Sequence, residues 1–188
     1  MTDAAAALAE HRILLERVEE LFPVVDEVVR GLTAAFTSGG RVYTFGNGGS
    51  SADAQHLAEE LVGRYKRERR PLPAQSLSVD ASVLTCIAND FSFDEVFERQ
   101  VRGFVRTGDV VVGFTTSGRS ANVVRGLAAA REQGATTVLF GGGDGRPAAD
   151  HADHALVVPS TETARVQEMH VLLLHLVLEQ VDRWAAAS

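Results

Sequence analysis

Residues 41–60 constrain this chain more than any other stretch. The apolar run Arg41-Val-Tyr-Thr-Phe45 ends in Gly46-Asn-Gly-Gly-Ser50, and a helical pattern begins at once, with His56 and Glu60 four positions apart. A strand that turns on glycine into a helix is a unit of a parallel sheet. The turn offers backbone N–H groups and serine hydroxyls, which suit an anion such as a sugar phosphate. At 3.6 residues per turn His56 and Glu60 lie about 40° apart on one helix face, as an acid/base or metal pair would.

The rest of the chain repeats the alternation. Residues 3–21 and 23–37 read as two helices forming an N-terminal hairpin, with Leu8, Ile13, Leu14, Val18 and Leu21 as the apolar stripe of the first. Pro23 suits the first turn of the second, where its missing N–H matters least. The hairpin covers the core or meets another subunit. Strands are expected at 42–45, 75–78, 109–115, 136–140 and 155–158, and helices at 50–64, 81–88, 93–105, 120–133 and 162–185. Such spacing predicts a parallel sheet covered on both faces, a three-layer α/β/α sandwich in one domain (hairpin 1–38, core 39–188).

Bulk properties exclude several classes. The 188 residues are 45% hydrophobic and 23% charged, with a formal net charge of −7, which disfavours sequence-independent nucleic-acid binding. The basic run Arg64-Tyr-Lys-Arg-Glu-Arg-Arg70 reads as a solvated loop. Cys86, the only cysteine, lies in an apolar stretch and is expected in the core. No signal-peptide pattern and no apolar stretch of membrane-spanning length stand out, so a cytoplasmic protein is expected.

In parallel sheets ligands gather at the carboxyl ends of strands, where helix N-termini converge. A second turn of suitable composition, Thr115-Thr-Ser-Gly-Arg-Ser-Ala-Asn122, follows the strand Val110–Phe114. Either turn alone is most simply a helix cap; two in one domain, each leaving a strand, favour phosphate. Neither is a Walker loop, since Gly-Lys-Ser/Thr is missing. Gly141-Gly-Gly-Asp-Gly145 has no hydroxyls and reads as a flexible turn. His175 lies in the apolar Val171–Leu178, where a lone histidine is ordinarily a core residue. Gln167, eight residues earlier, is about 80° away around that helix, whereas His170 is about 140° from His175. His56, Glu60, Gln167 and His175 would make an N/O set for a transition metal, but spacing alone does not pair the two helices. His151 and His154 read as decoration of the approach to the last strand, and His11 lies on a polar helix face.

The chain resembles the sugar isomerase (SIS) domain family, and within it the phosphoheptose isomerases. The resemblance rests on Gly46-Asn-Gly-Gly-Ser50, Asp53-Ala-Gln-His-Leu-Ala-Glu-Glu-Leu-Val-Gly-Arg64, Asn89-Asp90, Thr116-Ser-Gly-Arg-Ser-Ala-Asn122, Arg165-Val-Gln-Glu-Met-His170 and His175. It implies a five-stranded parallel sheet, a homotetramer, a zinc ion and interconversion of sedoheptulose 7-phosphate with D-glycero-D-manno-heptose 7-phosphate. It also implies zinc on His56, Glu60, Gln167 and His175, and phosphate on Ser50, Thr115, Ser117 and Ser120. Asn47, Gly48 and Gly49 would line the sugar site, with Arg64, Asn89, Asp90 and Thr116 touching substrate. One departure is Ala164, where some relatives carry an acidic residue.

Aldose–ketose isomerisation moves a proton between C1 and C2 through an enediol, which needs a base and a proton donor. Glu60 is the candidate base and His175 the acid, with zinc polarising the carbonyl. A metal-bound carboxylate is a weak base, so Glu60 shifts off the ion or acts through water. Two other readings are a non-enzymatic SIS tetramer that binds a replication initiator protein, and a phosphosugar-sensing module.

Overall fold

The computed structural model describes residues 3–187. Helices α1 (Asp3–Val18) and α2 (Phe22–Thr37) form the expected hairpin, joined by a 3-10 turn at Glu19–Leu21, with Pro23 in the first turn of α2. Then follow β1 (Val42–Gly46), α3 (Gly49–Val62), β2 (Ala74–Ser76), α4 (Ala81–Asp90), α5 (Val96–Phe104) and β3 (Val110–Thr115). The chain ends with α6 (Ala121–Glu132), β4 (Thr136–Gly142), β5 (His154–Val158) and α7 (Thr163–Ala186). The five strands are all parallel in the order β2-β1-β3-β4-β5. The order reverses between β1 and β3, and above such a switch point a crevice opens at the strand ends.

Alternation along the strands builds two cores. Val42, Val110, Val112, Phe114, Val138, Phe140, Leu156 and Val158 face one way and pack under α2, α3 and α7. Tyr43, Phe45, Val111 and Leu139 face the other way, against α5 and α6. Sheets of this kind are buried on both faces, so their strands read as continuous apolar runs.

Several sequence expectations need correction. The stripe on α1 is only half used: Leu14 and Val18 are buried, but Leu8 is 51% and Ile13 61% exposed. Cys86 is exposed, because α4 lies at the periphery and buries only Ile87, while Cys86 points outward. Asn89 and Asp90 form the last turn of α4 rather than a separating loop. The glycine cluster is not a flexible turn throughout, since Gly141 and Gly142 pair with Val157 and Val158 as the end of β4.

Candidate functional site

Three segments carry the expected site residues, two of them loops at the β1/β3 switch point. The first is the turn after β1. Gly48, at φ +56°, takes a left-handed conformation that suits glycine, and its carbonyl accepts a bond from Ser51 Oγ at 2.7 Å. Gly49 is needed for a different reason. A Cβ there would sit 2.1 Å from Gln167 Nε2, so the α7 side chain lies directly on this backbone. Ser50 is buried.

The second segment is the hydroxyl loop after β3. Thr115 Oγ1 and Ser120 Oγ lie 3.3 Å apart, and Ser117 Oγ accepts from the Arg119 backbone N–H at 3.2 Å. Thr115 is buried, Ser117 exposed, and Thr116 and Ser120 lie between. The third glycine cluster holds this loop in place: a Cβ on Gly142 would meet the Thr116 carbonyl oxygen at 2.3 Å, and Ala148 N–H donates to the Gly118 carbonyl at 3.0 Å. A cavity of about 860 Å³ opens beside the loop, lined among others by Thr116, Ser117, Arg119, Arg17 and Thr163. The two loops are tied across the switch point by a reciprocal amide pair. Asn47 Nδ2 donates to Asn122 Oδ1 at 2.8 Å, and Asn122 Nδ2 returns a bond to Asn47 Oδ1 at 2.9 Å. Asn122 has no role in the sequence reading, although it closes the second motif.

The third segment is the contact of α3 with α7. His56 Nε2 lies 3.4 Å from His175 Nε2 and 3.6 Å from Glu60 Oε1, with the two rings nearly perpendicular at 83°. The Tyr65 ring flanks His175 at 5.5 Å. Burial, then the neighbouring Glu59, push the Glu60 carboxyl above its ordinary value, while His56 and Arg69 oppose the shift. Burial, His56 and Lys66 hold His175 below its usual range, in the neutral form that ligates metals.

Two spacings here, His56 to His175 and His56 to Glu60, are close to those of neighbouring ligands on a tetrahedral ion, whereas His175 falls outside the one group among the described residues whose ligand atoms lie mutually within 4.8 Å. Zinc–nitrogen distances of about 2.0–2.1 Å at a tetrahedral angle separate two ligand nitrogens by roughly 3.3–3.4 Å. The imidazole nitrogens already stand at 3.4 Å, and the carboxylate is a few tenths of an ångström beyond that spacing. Glu59, absent from the sequence reading, also lies close: one ligand atom each from His56, Glu59 and Glu60 fall within 4.8 Å of one another. Gln167 is held against Gly49, two turns earlier on α3, and no hydrogen bond among the described residues joins it to the other three. Of the expected four, His56 stands next to both Glu60 and His175, and Gln167 lies against Gly49.

Arg64, Asn89 and Asp90 are exposed. Asn89 Nδ2 donates to Asp90 Oδ1, and among the described residues no hydrogen bond joins these three to the histidine pair or the hydroxyl loop. His170 stays out of the cluster, as its angle on the helix implied. It is fully buried, with Nε2–H donating to the Gly141 carbonyl at 3.0 Å. Its Nδ1 lies 4.0 Å from Asp53 Oδ2, and neither atom has a hydrogen-bond partner. Burial pushes Asp53 up to about 6, against His56, and His170 down to about 4. His11 pairs with Glu168 at 2.8 Å, and His154 Nδ1 lies 3.4 Å from Glu27.

Comparison with known proteins gives the family. The SIS domain family model matches residues 8–142. A phosphoheptose isomerase from Aquifex aeolicus is 47% identical, with 90% of this chain and 96% of that protein covered. One from Geobacter metallireducens is 48% identical, with 94% of each covered. The structure of a phosphoheptose isomerase from Neisseria gonorrhoeae superimposes with a TM-score of 0.90 at 38% identity, covering 96% of this chain and 97% of that one. The chain belongs to the SIS-domain family and, within it, to the phosphoheptose isomerases.

Proposed function

We propose that this protein interconverts sedoheptulose 7-phosphate and D-glycero-D-manno-heptose 7-phosphate by proton transfer between C1 and C2. The observation that carries the reading is the meeting of His56 with Glu60 and with His175 between α3 and α7. An adaptor or a sensing module has no need of that acid/base cluster.

Phosphate is held by Ser50, Thr115, Ser117 and Ser120, with N–H groups and the partial positive charge of the α6 N-terminus adding attraction. Gly48, Gly49 and Thr116 line the sugar path, and Asn47 orients the first loop through Asn122. Gln167 lies over Gly49, where an amide can meet sugar hydroxyls or complete a metal shell. Arg64, Asn89 and Asp90 act on substrate only when it, or a further subunit, closes the distance.

Glu60 takes the proton from the carbon acid, and burial helps by lifting its basicity toward neutrality. His175 donates to the C2 carbonyl oxygen as the enediol forms; Glu60 then returns its proton to C2, and His175 recovers one from the C1 hydroxyl as the aldehyde forms. His56, Glu60 and His175 are the residues that would hold zinc, with Gln167 as a fourth donor. When bound, the ion polarises the carbonyl and steadies charge on the enediolate.

The enzyme works as a homotetramer in the cytoplasm. The exposed Leu8, Ile13, Leu15 and Phe22 supply apolar surface for that assembly. Among the described residues no helix is long and apolar enough to cross a membrane. Incubating the pure protein with sedoheptulose 7-phosphate and following the product by NMR tests the proposal, and no turnover with zinc added refutes it.

A further inference from the structure

The basic run after α3, expected to be solvated, contains a buried guanidinium. The Arg69 side chain is 1% exposed, as is the Asp182 carboxylate that faces it from α7. Arg69 Nη2 donates to the Glu60 carbonyl at 2.7 Å, and Nη1 donates to those of Leu61, Arg70 and Gly63 at 2.8, 3.0 and 3.1 Å. Nε donates to Asp182 Oδ1 at 3.3 Å. Asp182 Oδ2 also accepts from the Arg67 backbone N–H at 3.0 Å and from Arg67 Nη1 at 3.3 Å.

These partners have a common meaning. Glu60 and Leu61 end α3, where carbonyls have no partner within the helix, and a cation there also complements the helix dipole. Asp182 follows His175 by seven residues on α7, two turns on and about 20° around the axis. Helices α3 and α7 therefore meet twice along one line. The first meeting is the His56–His175 contact; the second is the Arg69 bridge, which grips the backbone of Glu60 itself.

We propose that Arg69 and Asp182 are positioning residues for the metal-binding cluster, fixing the last turn of α3 on α7 so that the Glu60 carboxylate stays beside His56, which meets His175. The inference rests on the reading of that cluster as a zinc site. Without the bridge the Glu60 carbonyl loses its partner, while Leu61 keeps the Leu72 N–H at 3.0 Å, so the helix loosens at Glu60 and His56, one turn earlier, stays in place. Lysine cannot substitute, because one ammonium does not span several carbonyls and a carboxylate as a planar fork does.

Three readouts test this on the full chain. They are the zinc Kd of metal-free protein by chelator competition, kcat and KM for sedoheptulose 7-phosphate, and amide hydrogen exchange over residues 58–64. Arg69→Lys is expected to weaken zinc by about 10- to 100-fold, as loss of supporting contacts around metal ligands does. It should lower kcat with KM within about twofold, and speed exchange only at the end of α3. Should Arg69→Lys fail to fold, Asp182→Asn keeps one acceptor and should move all three readouts the same way by less. A lower melting temperature alone, with zinc Kd and kcat unchanged well below it, overturns the inference. A wild-type protein that turns over substrate without zinc affinity overturns the metal reading and this inference with it. A wild type that binds zinc but turns nothing over refutes the isomerase assignment alone.

Discussion

Replacing Gly49 with alanine separates activity from stability. The new Cβ would stand 2.1 Å from Gln167 Nε2, 2.8 Å from Cδ and 3.0 Å from Oε1. Ordinary contact begins near 3.4 Å, so the amide must retreat by about 1.3 Å (3.4 − 2.1). Its end is flexible, and Gly49 is not at positive φ, so the fold absorbs the change. Alanine also favours helix over glycine by up to about 1 kcal/mol, so stability should stay level or rise slightly. A displacement of about 1 Å at a reacting group costs on the order of 100-fold in rate, or about 2.7 kcal/mol of barrier. The assay is kcat/KM on sedoheptulose 7-phosphate, with a thermal melt alongside. A melting point at or above wild type with kcat/KM down about 100-fold is expected. Activity within about threefold of wild type would refute the placement of Gln167 in the working site.

Glu60→Gln should lower kcat by roughly 10²- to 10⁴-fold at unchanged melting temperature; full activity would remove Glu60 from proton transfer. Dialysis against a chelator should abolish turnover and zinc should restore it, whereas activity that survives with no bound metal would contradict the three-residue site. The Asp53–His170 pair makes a pH prediction for the metal-free protein. Asp53, raised to about 6, binds a proton on folding, so its contribution grows as pH falls from about 6 toward 4. His170, lowered to about 4 from 6.5, is stabilising in its neutral form above 6.5 and loses that contribution as pH falls toward 4. The two slopes oppose one another, leaving the pair nearly flat between pH 4 and 6. Asp53→Asn removes one slope, so denaturant melts should show stability falling by up to about 3 kcal/mol between pH 6.5 and 4, relative to wild type. Parallel curves would contradict that reading.

The sheet was legible because its strands carry their own signal. The branched run Val110-Val-Val112 is buried on both faces, and so has to be apolar at every position. The end of β4 was hidden for the opposite reason: glycine is a poor strand former, and Gly142 is there because the Thr116 carbonyl leaves no room for a Cβ. Asn89 and Asp90 resemble a helix stop by propensity, yet they complete α4. Within the site, His56 and Glu60 were legible as a pair one turn apart, because helix geometry is local. Their meeting with His175 depends on how α3 packs on α7, 119 residues along the chain, and only the family motifs pointed to it. Local composition also could not reveal that one arginine of a basic run is buried on Asp182, nor that Asn47 and Asn122 bridge two loops.

The central claim is a proton transfer by a metal-assisted cluster of His56, Glu60 and His175. The direct test is an incubation of the zinc-loaded protein with sedoheptulose 7-phosphate in D₂O, followed by NMR. Formation of the aldose 7-phosphate with solvent deuterium at C2, lost in Glu60→Gln, is the expected result. No conversion, or conversion that Glu60→Gln leaves intact, would contradict it.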